Sequence, residues 1–446
     1  MLLDLKNCSG QLCWHENSLN INFDLSVAKD GSIKLTVKDI PFGKDVPWLD
    51  ELIHKKTRYF ELLQLKGYDV EGDSITSDSV ALTYHGERID EAGSSWRCIE
   101  GTCMQFRLDS ANPLTYGKAA ALLLQYRLLG FKCFDRLSGN TDIGSIQVVG
   151  STKIENYDEA TSVLTIKNQP EQNFDLTNWI ERCDKSVRSI LDILSLANDR
   201  YIAWTSRSIF HNKSWVSSLF IGPRRAGKPF QPLFTYLNLQ PILNLAIANY
   251  SEELKQETGL DVAIEWFLIK STYTEVQFLT AMTALEHLIY VYMGREDGGK
   301  IFHNKKFEKI IRPQVEAALD QSLDLLLKNE KDPSKREAYP DKIKAAKNKV
   351  VEINRYTFKE NLRAFLKEHK VPLDVIDQEI YQLVDVRNKI VHRGLYNSIA
   401  VDQSIHDHLA VLRELLIRIF LTLLKYSGEY HSFLNGPEWK KFLPLH

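Results

Sequence analysis

The sequence predicts an α+β chain, a β-rich front half followed by an all-helical back half. Three observations carry that prediction. Apolar residues alternate with polar ones in several runs of the front half. From about Leu237 the apolar spacing becomes that of amphipathic helices. Between the two regimes lies a Gly- and Pro-rich run, 222–232. The expected domains are therefore 1–230 and 237–446, within the two to four that 446 residues suggest at about 100–200 residues each.

Leu19, Ile21, Phe23, Leu25 and Val27 alternate with polar residues, Asp30-Gly31 follows, and Ile33, Leu35 and Val37 alternate again. Two period-two runs about an Asp-Gly turn are a hairpin. Further strands are expected at 79–84, 98–108, 145–149 and 162–166, with helical patches near 50–65 and 118–129. Residues 177–198 read as one amphipathic helix with Ile180, Val187, Ile190, Leu191 and Leu194 on a face, and 201–221 as a last hairpin. Helices follow near 237–250, 252–270, 274–293, 306–329, 341–368, 374–393 and 401–426. Thr274 and Gln277 suit a capping box, and Gly394 suits a helix stop. Residues 295–300 and 329–341 read as polar connectors.

A content of 44% hydrophobic and 26% charged residues excludes a disordered or collagenous chain. The formal charge of −2 excludes a histone-like coat, but not a nucleic-acid enzyme with a local basic patch. The first hundred residues hold eleven Lys and Arg against seventeen Asp and Glu, so nucleic acid is an unexpected ligand there. Asp4 and Lys6 interrupt the apolar start, and the strongest apolar run, from Leu409 to Leu424, contains Arg413, Glu414 and Arg418. A cytoplasmic protein with no membrane partner is expected. Six cysteines include two C-x4-C pairs, Cys8/Cys13 and Cys98/Cys103. Reduced, partly buried thiols are the expectation, with a four-thiolate zinc site as the alternative; no metal or cofactor is assigned.

Gly222 to Lys228 fits the first seven positions of a phosphate-binding loop, but Pro229 stands where the magnesium-binding hydroxyl belongs. A positively charged loop is the better reading. His406 and His408 are two apart, about 200° around a helix, so they read as a solvated first turn and not as metal ligands. The helix 374–393 is different. Arg387 falls within the apolar stripe Ile376, Ile380, Leu383, Val384, Ile390 and Val391, and a guanidinium there needs an anionic partner or a cleft. Beside it runs a polar stripe: Tyr381, Asp385, Asn388 and His392. Glu286, in the stripe Leu279, Met282, Ile289 and Met293, could pair with Arg387 across two packed helices. Such a pair is either structural or orients the arginine at a site.

The run Arg387-Asn388 to His392, followed by Arg393-Gly394, resembles the R-x4–6-H signature of the HEPN superfamily. The helix Phe278 to Ile289 and the long final helix resemble that family too, over roughly 237–430. A β-rich front joined to a HEPN-like helical bundle is similar to the ApeA-like proteins of bacterial anti-phage defence. The resemblance implies a metal-independent endoribonuclease with no cofactor, acting as a homodimer or larger even oligomer. Two motifs line one cleft, and the 2′-hydroxyl of the RNA, with tRNA the expected target, attacks the adjacent phosphate. In that reading His392 is the general acid/base, Arg387 stabilises the transition state, Asn388 positions and Glu286 orients. RNA would be gripped by Lys342, Lys344, Lys347, Lys349 and Arg393, because 301–350 holds twelve basic and eight acidic residues. The front half would sense a phage-encoded trigger. The alternative is a non-catalytic RNA- or protein-binding dimerisation scaffold.

Overall fold

The structure, a computed structural model, describes residues 2–41, 46, 48–49, 62–89, 95–112, 121–133, 135–150, 159–168, 174–222, 232–235, 239–294, 299–393, 404–434 and 438–444. It divides into two compact units, Met1–Ala248 and Asn249–His446. The phosphate-loop-like segment beyond Gly222, the expected stop at Gly394 and most of the helical patch at 50–65 lie outside the described residues.

In the first unit, β1 (Leu3–Trp14), β2 (Asn17–Val27) and β3 (Ile33–Pro41) form an antiparallel meander, with the expected Asp30-Gly31 turn between the last two. β3 pairs with β6 (Ser95–Cys103), β6 with β5 (Ser74–Ile89), β5 with β4 (Leu63–Tyr68), and β4 returns to β1. Six antiparallel strands thus close a barrel, which leaves no free edge. Its interior is filled by alternate residues, among them Phe23, Leu25, Leu35, Val37 and Leu65. β4 occupies the end of the stretch expected to be helical, because Leu63 and Leu65 fill the barrel while Gln64 and Lys66 face out.

β7 (Gln105–Asp109) pairs with β5 and carries the sheet onward through β13 (Ser214–Ile221), β12 (Ala203–His211), β8 (Leu122–Leu129), β11 (Ala160–Asn168), β10 (Gly144–Val149) and β9 (Arg136–Thr141). The run near 118–129 was expected to be helical; from Leu122 it is strand β8. Leu122, Leu124, Tyr126 and Leu128 are buried in alternation, and that pattern of burial outweighs the helix propensity of leucine. The helix α1 (Leu176–Ala197) packs on this sheet. Asp175 caps it, Trp179 donates its Nε1 hydrogen to the Ile143 carbonyl at 2.8 Å, and the Tyr126 hydroxyl donates to Asp184 at 2.8 Å. α2 (Gln240–Asn249) joins the first unit down to Ala248, beyond the boundary read from the sequence. Gln240 bonds both backbone groups of Ser138 on β9.

The second unit holds α3 (Glu252–Thr258), α4 (Leu260–Leu268), α5 (Thr274–Met293), α6 (Arg312–Asn329), α7 (Pro333–Lys349), α8 (Phe358–Glu368), α9 (Gln382–Arg393) and α10 (Ile405–Leu423). The expected helix 252–270 is two helices, hinged at Gly259. That residue has φ +68°, and a side chain there would lie 2.6 Å from His287. α5 is central: α4, α8, α9 and α10 pack on it through Phe278, Met282, Leu285 and Ile289. Its start differs from expectation, since Tyr273 is the cap residue without a side-chain bond and Gln277 donates instead to the Ser271 carbonyl. Capping boxes occur at Thr357/Glu360 and Ser404/Asp407.

Two further corrections concern the back half. The connector expected at 329–341 is largely α7, which Asp332 caps with Pro333 in the first turn. The unit is also not all-helical. A hairpin, β14 (Gly428–Ser432) with β15 (Glu438–Phe442), follows α10. It is tied to the bundle by the fully buried Glu414, which accepts from Tyr430 at 2.5 Å, Ser432 at 2.8 Å and Arg418 at 2.9 Å.

Candidate functional site

The helix expected over 374–393 begins only at Gln382; this motif helix, α9, is anchored by the buried Leu383, Val386 and Ile390, with Ile376 and Ile380 buried in the turns just before it. Val391, expected on that stripe, is 50% exposed. Arg387 is not embedded in the stripe either. Its long stem runs to the margin of the helix contact, where the Nε lies 3.1 Å from Glu286 Oε1 on α5. Its Nη1 donates to Asn388 Oδ1 at 3.2 Å. The two charged side chains are 35% and 36% exposed, so the guanidinium is only partly desolvated, and the premise of a buried arginine is corrected. The pairing across two helices is the one expected from the sequence.

The expected polar stripe divides in two, with Tyr381 in the turn just before α9. Tyr381 stacks under Arg363, with the guanidinium carbon 4.2 Å from the ring centre, and Asp385 pairs with Lys359 at 3.1 Å. These two residues fasten α8 to α9. Asn388 and His392, one and two turns further on, are exposed near the helix end. Structure therefore brings Glu286, Arg387 and Asn388 into contact and leaves His392 open on the same helix. Arg393 ends α9, and its side chain lies outside the described residues.

Sequence reasoning missed what surrounds this group. Tyr290, four residues after Glu286 on α5, is 73% exposed, and Val391 stands four residues after Arg387. The spacing i, i+4 was the available signal. An exposed aromatic and an exposed β-branched residue thus stand one helical turn beyond the two members of the ion pair.

The lysines proposed to grip RNA do not form one patch. At 100° per residue, Lys342 and Lys349 share one side of α7, and Lys344 and Lys347 another. Lys347 is half-buried and pairs with Asp320 on α6 at 2.5 Å, while Lys342 lies 5.8 Å from the Tyr339 ring centre. The hairpin α6–α7 has no fully buried residue and makes its main contacts within itself and with the turns beside it.

Among the described residues there is no group of three or more His, Cys, Asp and Glu placed to hold a metal ion. The C-x4-C pairs fail for a geometric reason. Five residues apart on a strand means opposite faces, so Cys8 and Cys103 point into the barrel while Cys13 and Cys98 are half-exposed. His406 is exposed and His408 buried, so the expected solvated first turn holds for only one of them. Among the described residues no helix is long and apolar enough to cross a membrane.

No protein-family model, no curated protein and no solved structure matches this chain.

Proposed function

We propose that the chain is a metal-independent endoribonuclease of bacterial anti-phage defence. It cuts host RNA, tRNA being the expected class, at a site completed across a two-fold dimer. The observation that carries the reading is the Arg387 guanidinium. It is held by Glu286 and Asn388 yet one-third exposed, on the same helix as an open histidine. The signature Arg387-Asn388 to His392 supplies the rest of the argument.

The chemistry follows from these groups. The 2′-oxygen of the RNA forms a bond to the adjacent phosphorus while the bond from phosphorus to the 5′-oxygen breaks. The 2′-hydroxyl loses its proton to one His392, and the leaving 5′-oxygen gains one from the His392 of the second copy. Arg387 balances the charge that builds on the phosphorus oxygens. The nucleophile belongs to the substrate, which is why position and electrostatics suffice. The exposed Tyr290 and Val391 give the second copy a surface to meet.

The test incubates the purified full chain with total RNA in the presence of EDTA and maps the new ends. Cleavage leaving 2′,3′-cyclic phosphate and 5′-hydroxyl ends, lost in both Arg387→Ala and His392→Ala, supports the reading. Activity abolished by chelation and restored by magnesium removes the mechanism. RNA or protein binding without cleavage moves the chain to the scaffold alternative.

A further inference from the structure

An open groove lies on the outside of the barrel, far along the chain from the HEPN-like motif. It has a volume of about 810 Å³ and is crossed by five strands. Register places its side chains in two rows perpendicular to those strands. One row is Lys38, Asn22, Ser9, Tyr68 and Ser74, each directly opposite the next on β3, β2, β1, β4 and β5. The other is Asn20, Gln11, Lys66 and Thr76 on β2, β1, β4 and β5. Side chains two apart along a strand share a face, so both rows point outward. At the waist the backbones of Gly10 and Gly67 meet directly, and a side chain on Gly10 would lie 2.3 Å from the Lys66 carbonyl. Both glycines alternate with the outward rows and so face the barrel interior, where a side chain on Gly67 would lie 2.9 Å from the buried Phe23 ring.

The lining has a definite chemistry. Tyr68 is 59% exposed and offers a ring face. Gln11, Asn20 and Asn22 each present a donor and an acceptor, and Gln11 already bonds Asn20 at 3.0 Å. Lys38 is engaged by Asp24 at 2.5 Å. Lys66 has no carboxylate within ion-pair distance among the described residues, and no Asp or Glu lines the groove. In a region with an excess of acidic residues, this is a local exception. Its long axis spans four inter-strand steps, about 19 Å at ~4.8 Å per step, which fits a run of nucleotides better than one.

We propose that this groove binds single-stranded nucleic acid. Tyr68 stacks on a base, Lys66 meets the backbone phosphate, and the amides of Gln11, Asn20 and Asn22 reach base edges. The proposal does not rest on the ribonuclease reading, and the two fail separately.

The test uses the full chain carrying His392→Ala, with a fluorescein-labelled single-stranded RNA hexamer, the corresponding duplex and uridine monophosphate as probes. Binding is read by anisotropy, and its place by hydrogen-exchange mass spectrometry. The expected result is protection of the segments holding Ser9, Asn20 and Lys66, with a hexamer affinity well above that of the duplex or the mononucleotide. Tyr68→Ala and Lys66→Glu should each weaken the hexamer at least about fivefold. Both side chains lie on the outer face, so the melting temperature should be unchanged. Hexamer binding with no protection of these segments, or equal affinity in both variants, overturns the proposal. So does the absence of binding, or mononucleotide affinity equal to that of the hexamer.

Discussion

Arg387 Nε on α9 lies 3.1 Å from Glu286 Oε1 on α5, in an ion pair whose side chains are 35% and 36% exposed. A pair this wet contributes little to folding, about 0–1 kcal/mol. Arg387→Ala should therefore shift the unfolding free energy by no more than about 1 kcal/mol while abolishing RNA cleavage. Glu286→Gln, which keeps the shape but loses the charge, should slow cleavage on the order of ten- to a hundredfold, and Glu286→Asp should recover part of that loss. Thermal melting and single-turnover cleavage, run on the same preparations, check both statements. Full cleavage by Arg387→Ala would end the catalytic reading of this residue.

The buried network of Glu414 behaves in the opposite way. Glu414 has no exposed surface, and Arg418, which it binds, also donates to the Pro372 carbonyl at 2.9 Å and Asp374 at 3.1 Å. Burial first, and then the Glu414 carboxylate, holds the Tyr430 hydroxyl protonated well above the usual phenol range. Glu414→Ala takes the buried acceptor from Tyr430, Ser432 and Arg418 Nε, leaving the guanidinium only Pro372 and Asp374, and should cost about 3–5 kcal/mol. Tyr430→Phe removes one hydrogen bond and should cost about 1–3 kcal/mol. Denaturant unfolding of the two variants gives the comparison, and a loss below about 1 kcal/mol in Glu414→Ala would contradict it.

His408 couples folding to pH. Burial is the main cause that lowers its pKa below 6.5; Asp407 pulls upward and Lys389 adds to the lowering. The unfolded chain takes up a proton near 6.5 that the folded chain refuses, so this contribution to stability is complete above that pH. It is lost as pH falls from there toward the folded value. The melting temperature should drop between about pH 7.5 and 5.5 by more in the parent than in His408→Gln. Equal drops would show that other groups carry the effect.

The thiols should fall into two classes. Burial pushes Cys8 up to about 11 and Cys103 and Cys183 up to about 12, and raises Cys133 as well. At about pH 8 these four are protonated as well as covered, so a thiol reagent should reach them only after unfolding. Cys13 and Cys98 are half-exposed and should react in the native protein. Mass spectrometry of alkylated peptides, before and after denaturation, tells the classes apart.

Local pattern was enough for the elements with one strong period. The β2–β3 hairpin, α1 and α5 follow from alternation or a helical stripe, because each buries a single face that its own residues define. The Glu286–Arg387 pair was readable for the same reason, as two unlike charges interrupting two apolar stripes. Where short-range signals compete, the sequence was less decisive. Leucine-rich β8 is a strand because the sheet and α1 bury alternate residues, and the C-terminal hairpin exists because Glu414 binds it from another element. Closure of the barrel, and the two rows of the groove, depend on registers between strands far apart in the chain, such as Gln11 opposite Lys66. No periodicity within one segment encodes such a register. It is set only when all six strands pack at once, and that is the part the tertiary structure decided.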